Sequence, residues 1–263
     1  MSNRVQQHGE KISLATRKLI SLRYHTVTEA INKEFWNSES DTQHSLYVGS
    51  YGRNTAIDTS DIDILVELPN SFFCQYNNLL GNSQSRLLQA VRSAILNPYP
   101  RSSVHADGQV VKISFSDGMY FEIVPAFKGD DGRYKYPDSN DGGSWKSTNP
   151  KAEQEAMAQK NKTSKGLLYD TCKHIRTIRD NNFSSYHLSG IVIDSFVYQA
   201  IGDWRWVKGP TFPPIGTYEK TLFYYYNQHG ISCGMDINAP GSNDVVSTAS
   251  SYECLGKILK SMM

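Results

Sequence analysis

The sequence reads as an α+β protein of two lobes: a lobe built on a mixed sheet over residues 1–162 and a helical lobe over 163–263, with a cleft between them. Two observations carry this reading. Short apolar runs with period-two alternation stop before Lys128, and beyond Lys162 the apolar spacing turns to three and four with no strand pattern of comparable strength.

Taken in order, the elements begin with a long amphipathic helix from Glu10 to Trp36, in which Ile12, Ala15, Leu19, Leu22, Val27, Ile31 and Phe35 recur at helical spacing. At 1.5 Å per residue it would run ~35–40 Å, enough to join both lobes. SLYVGS is a short strand ending in Gly49-Ser50, YGRNTAI opens with a helical turn, and DIDILVEL from Asp61 to Leu68 is the next strand. Asn82-Ser83 caps a helix through Leu87, Leu88, Val91 and Ile95 that Pro98 stops. QVVKISFSDGMYFEIVPAF is a hairpin turning at Asp117-Gly118, with Glu122 in its second strand. GDDGRYKYPDSNDGGSWKSTNP has the Gly, Asp, Ser and Pro content of a long surface loop. Helices follow near Ser164–Arg179, Ser185–Ile201, Thr217–His229 and Ser247–Met262.

Bulk composition sets limits on function. The 263 residues carry a formal net charge of +1, and Lys and Arg are scattered, so the chain lacks the basic face that a DNA- or RNA-phosphate binder needs. No long nucleic acid is expected as a partner. Cys74, Cys172, Cys233 and Cys254 are far apart and show no zinc or redox spacing. With no apolar leader and no run of ~20 apolar residues, the expectation is a cytoplasmic protein without a membrane partner.

Chemistry concentrates in the first lobe. On a strand, Asp61 and Asp63 point to one face, about 6.5–7 Å apart along the chain, while Ile62 and Ile64 point to the other. Two carboxylates crowded on one surface repel unless a cation neutralises them, and oxygen-only ligands suit Mg²⁺. Glu122 sits in a later apolar strand, where a lone carboxylate is costly. Three acids converging on one metal site explain one another. Gly49 can take the φ of a sharp turn and Ser50 can cap the helical turn that follows, which offers N–H groups to an anion.

These residues carry a family resemblance. GSYGRNTAIDTSDIDI followed by FEIVPAF resembles the polymerase-beta-like nucleotidyltransferase superfamily, whose pattern is Gly-Ser, a short helix, D-x-D and a third acid on a neighbouring strand. WKSTNPKAE and INAPGSNDVV are similar to segments of the bacterial CD-NTases with a SMODS-type core, relatives of cGAS and oligoadenylate synthetase. The resemblance implies a polymerase-beta-like catalytic lobe and a template-independent enzyme that builds a cyclic oligonucleotide second messenger, most simply a cyclic dinucleotide, for anti-phage (CBASS) defence.

By position, the resemblance gives Gly49 and Ser50 the donor triphosphate, Asp61, Asp63 and Glu122 two Mg²⁺ ions with Mn²⁺ as a substitute, and Lys173 the donor phosphates from the helical lobe. Ser185 and Tyr186, read as the start of a helix, would contact the phosphates and base of a bound nucleotide. NTPs, ATP among them, are the expected substrates, and regulatory or effector proteins of a defence operon the expected partners. Glu122 departs from the Asp common at the third position, and nothing here matches the zinc insertion or basic platform of animal cGAS. An RNA-tailing enzyme, a small-molecule nucleotidyltransferase and a non-catalytic nucleotide binder remain as alternatives.

Overall fold

The computed structural model of the chain describes residues 4–7, 12–58, 61–207 and 217–263. They fall into two compact units, one drawn from Ser13–Gly52 and Ser60–Asn149, the other from Met1–Ile12, Arg53–Thr59 and Pro150–Met263. The sequence suggests a division at 162. The structure divides instead at Pro150, because the helix that begins there packs with those that follow it, and it draws the short segment after Gly52 into the helical unit.

In the sheet unit, α1 (Leu14–Ile31) is capped by Ser13, whose hydroxyl accepts from the Thr16 N–H. Residues 10 and 11, where the sequence starts this helix, lie outside the described residues. Its buried stripe is Ile20, Tyr24, Val27, Thr28 and Ile31, while Leu22 is exposed. The stripe is therefore rotated from the one the aliphatic residues alone suggest, because Tyr24 takes a core position. A five-residue π-helical turn continues the helix to Trp36.

There follow β1 (Ser45–Tyr47), the single-turn helix α2 (Gly49–Gly52), β2 (Ile62–Glu67), α3 (Asn70–Asn77) and α4 (Ser83–Leu96), the last capped by Asn82. Strands β3 (Ser103–Asp107), β4 (Val110–Ser114) and β5 (Tyr120–Lys128) complete the main sheet, in the order β1-β2-β5-β4-β3. β2 and β5 run parallel and the other neighbours antiparallel, so the sheet is mixed. One face carries Ile62, Ile64, Val66, Phe121, Ile123, Val111 and Ile113, all buried, with α1 and α4 packed against the sheet.

The stretch that reads as a surface loop is a hairpin, β6 (Tyr134–Asp138) and β7 (Ser144–Thr148), joined to the end of β5. Its glycines, with Asp130, Asp131 and Asp141, lie between the strands, while Asp138 ends β6. The strands are fixed by buried Tyr134 and by Trp145, whose ring packs on Phe73 and Phe127 with centroids 5.0 and 5.7 Å away.

The helical unit comprises α5 (Pro150–Thr163), α6 (Leu167–Asn182), α7 (Gly190–Ala200), α8 (Thr217–Gln228), the ribbon β8 (Ile237–Asn238) and β9 (Val245–Val246), and α9 (Tyr252–Ser261). Its core holds Leu168, Ile175, Val192, Phe196, Leu222, Leu255 and Ile258, none more than 0% exposed. The helix expected from Ser185 begins only at Gly190, so Ser185 and Tyr186 lie in the turn between α6 and α7. Among the described residues no helix is long and apolar enough to cross a membrane. The four cysteines are unbridged.

One charge fastens the β6–β7 hairpin. Asp138 accepts from the Asn140 N–H (3.0 Å) and Gln109 Nε2 (3.0 Å) and pairs with Lys146 Nζ at 2.5 Å. Lys146 first, and the Asn140 N–H next, hold its carboxyl at about 2 against an ordinary 3.8. A carboxyl depressed on folding stabilises fully above its ordinary value, and the contribution is lost as pH falls toward the folded value. Asp138→Asn should therefore lower the melting temperature at neutral pH by a few degrees. It should also flatten the acid limb of a pH series of melts below the ordinary carboxylate range.

Candidate active site

Strand register aligns two of the acids. In the parallel pair β2–β5, Asp63 lies directly opposite Glu122. In the antiparallel pair β4–β5, Glu122 lies opposite Lys112. Asp63, Glu122 and Lys112 thus form one row across three neighbouring strands, on the face opposite the buried row Ile62, Phe121 and Ile113. Asp61, two residues before Asp63 and just ahead of the strand, is exposed. At the other end of this face Leu65 and Ala126 are buried with Val48 and Tyr134, so the polar row borders an apolar patch.

Gly49 and Ser50 are brought to the same place. The Val48 N–H donates to the Asp63 carbonyl (2.9 Å) and the Gly52 N–H to the Val48 carbonyl (2.9 Å), which pins the turn to the strand. Gly49 has φ +57°, and a Cβ on it would overlap the Asp63 carboxylate. Only glycine fits both demands at low cost.

Lys112 was not singled out by the sequence. Its ammonium lies 3.4 Å from Glu122 Oε1 and 2.9 Å from Asp107 Oδ2, and these acids, Asp107 first, raise its pKa. The signal was available: a Lys in the strand paired with the one bearing Glu122. Among the described residues no three His, Cys, Asp or Glu side chains are gathered closely enough to hold a metal ion as they stand. Repulsion between like charges opposes such a gathering without a cation. The donor set is nonetheless carboxylate oxygen alone, on one face and beside a glycine that leaves room for Asp63. Oxygen-only donors of this kind fit a hard divalent cation such as Mg²⁺ or Mn²⁺.

The remaining site candidates belong to the helical unit. Lys173 is half-buried on α6. Ser185 is exposed, and the partly exposed Tyr186 ring carries the Lys257 ammonium 4.9 Å from its centroid. Lys257, on α9, is a neighbour that spacing could not reveal.

Comparison with known proteins assigns the family. Residues 3–161 match the model for the Second Messenger Oligonucleotide or Dinucleotide Synthetase domain, which covers more than half of the chain. The chain belongs to the SMODS family.

The "Probable cyclic nucleotide synthase" of Bacillus cereus (strain VD146) is 27% identical over 196 residues, or 65% of this SMODS chain and 58% of that protein. The chain thus spans a little over half the length of that relative. Among solved structures, the CdnE cyclic dinucleotide synthase of Elizabethkingia meningoseptica superposes with TM-score 0.63 at 15% identity, covering 98% of this chain and 94% of that one. The CdnE c-UMP-AMP synthase of Rhodothermus marinus gives 0.66 at 14%, covering 96% and 91%. At such identities the likeness is one of fold, and that fold is the polymerase-beta-like one the Gly-Ser and D-x-D pattern implies.

The SMODS turn makes a direct prediction. Gly49→Ala must adopt positive φ, at roughly 1–2 kcal/mol, and must also displace the Asp63 carboxylate. Thermal melting should show a loss of several degrees, and Mn²⁺ binding followed by electron paramagnetic resonance should weaken. A variant that melts and binds Mn²⁺ as wild type does would mean that the turn relaxes without moving Asp63.

Proposed function

We propose that this chain is a template-independent, divalent-metal-dependent nucleotidyltransferase that joins NTPs, ATP among them, into a cyclic oligonucleotide, most simply a cyclic dinucleotide. The observation that carries the reading is the register of Asp63 against Glu122 beside the Gly49-Ser50 turn in a chain of the SMODS family. We read the setting as cytoplasmic anti-phage defence, with regulatory or effector proteins as partners.

In this reading Asp61, Asp63 and Glu122 hold two Mg²⁺ ions. When bound, such ions lower the pKa of an attacking hydroxyl and neutralise the charge of a leaving pyrophosphate. The chain's own part is positioning. Gly49 and Ser50 seat the donor triphosphate, Lys173 meets its phosphates as a point charge, and Ser185 and Tyr186 contact phosphate and base. The acceptor hydroxyl oxygen forms a bond to the α-phosphorus, the bond from that phosphorus to the bridging oxygen of the β-phosphate breaks, pyrophosphate leaves, and the hydroxyl proton passes to solvent. Phosphoryl transfer rests on position and charge, so no protein nucleophile is needed and the cysteines stay outside the chemistry. A second transfer with the same acids closes the ring.

Incubation with each NTP and with mixtures, plus Mg²⁺ or Mn²⁺, followed by phosphatase and mass spectrometry, tests the reading. A ring keeps its mass under phosphatase, whereas a linear product loses its terminal phosphates. Asp63→Asn and Glu122→Gln should remove turnover while the proteins still melt cooperatively. Lys173→Ala should weaken nucleotide affinity or rate by about ten- to a hundredfold, as loss of a charge-assisted contact does. Wild-type turnover by Asp63→Asn would sink the mechanism. Long tails on added RNA as the only product would make the chain an RNA-tailing enzyme instead.

A further inference from the structure

The helical unit buries four charges that the proposed chemistry does not use. Asp194 on α7 is 0% exposed; its Oδ2 accepts from Arg53 Nε (2.8 Å) and the Thr55 hydroxyl (2.9 Å), and its Oδ1 from Arg176 Nη1 on α6 (2.8 Å). Arg53 Nη1 donates to Glu153 Oε2 on α5 (2.9 Å), and Arg176 donates further to the carbonyls of Gly190 (3.0 Å) and Cys172 (3.3 Å). Two cations and two anions balance. Burial opposes ionisation of Asp194, but Arg176 and Arg53 outweigh it and hold its carboxyl below the ordinary value.

A buried ion network of this kind adds little net stability, because the desolvation of each charge offsets the attraction. Its use has to be sought in what it holds. Arg53 and Thr55 sit on the segment that joins the Gly49-Ser50 turn to Asp61. Loops ordinarily run over the surface, yet here Arg53, Thr55, Ala56 and Ile57 are all buried, and Tyr169 on α6 bonds to Asn54. The chain therefore leaves the sheet unit after Gly52, is gripped by side chains of α5, α6 and α7, and returns to the sheet unit ahead of Asp61. Arg176 is also three residues from Lys173 on α6, a spacing that makes them helix-surface neighbours.

We propose that Arg53 and Asp194, with Thr55, are positioning residues for nucleotidyl transfer: their network clamps residues 53–57 and so fixes the separation between the triphosphate-binding turn and Asp61. The inference rests on the nucleotidyltransferase reading above. It adds that side chains of α5, α6 and α7 hold the chain that links the two motifs.

The test uses two variants that leave the Arg176–Asp194 pair in place. Arg53→Lys keeps the charge but loses the two-pronged contact, and Thr55→Val removes the hydroxyl's bond to Asp194 and keeps every ion pair. Tyr218→Phe is the control, losing one buried hydrogen bond to Thr171 in the same core (2.9 Å) away from the loop. Melting temperature, its rise with ATP and Mg²⁺, and kcat are measured for all three. Misplacement of a catalytic group by an ångström can cost on the order of a hundredfold, so Arg53→Lys should lose at least about tenfold in kcat. Thr55→Val should fall severalfold and lose part of its ATP-induced rise, while Tyr218→Phe melts lower yet keeps kcat within about twofold. Should Arg53→Lys fail to fold, Thr55→Val alone decides. Wild-type kcat in folded Arg53→Lys and Thr55→Val overturns the clamp, as does an equal kcat loss in Tyr218→Phe. Absence of turnover in wild type itself overturns the nucleotidyltransferase reading and the clamp with it.

Discussion

Everything about the candidate site depends on the parallel pairing of β2 with β5. Register in that pair sets Asp63 against Glu122, and a slip of one residue would send the carboxylates to the buried side and Ile62 or Ile64 to solvent. The penalty for such a slip is the core itself, since Ile62, Ile64, Phe121 and Ile123 are essentially fully buried. The hydrophobic face thus fixes the polar one. Lys112 follows from the same logic one strand further on, and supplies a positive charge beside an acid otherwise crowded by its own kind.

A second constraint acts through the chain. Removing one partner from a buried ion pair typically costs about 3–5 kcal/mol, because the remaining charge stays desolvated. The grip on Arg53 and Thr55 is therefore stiff, and it holds the chain between the Gly49-Ser50 turn and Asp61. One buried carboxylate, Asp194, anchors that chain through both Arg53 and Thr55.

Much of this was legible in the sequence. DIDILVEL and FEIVPAF alternate in step with their strands, and Gly49-Ser50 stands where a tight turn needs it, so the strands and the turn could be read from spacing, while the roles of the acids came from their context and the family resemblance. Less local features escaped. The β6–β7 hairpin hides in a Gly- and Asp-rich stretch because tertiary aromatic contacts, chiefly those of Trp145, decide it. Helix α5 is polar along most of its length and buries little beyond Pro150, Glu153 and Met157, which left no stripe to read. Ser185 and Tyr186 fall in a turn because the apolar period starts only at Gly190. Arg53 and Asp194 are 141 residues apart, beyond the reach of any periodicity argument.

The central claim is that Asp61, Asp63 and Glu122 together hold the metal that serves nucleotidyl transfer. Crystals grown with Mn²⁺ and a non-hydrolysable ATP analogue, measured at the manganese absorption edge, address it directly. The account predicts anomalous peaks in contact with Asp61 and Asp63, with Glu122 coordinating one of them in place of its contact with Lys112 and the triphosphate against Gly49-Ser50. Manganese bound at other residues, with the three carboxylates left apart, would contradict it.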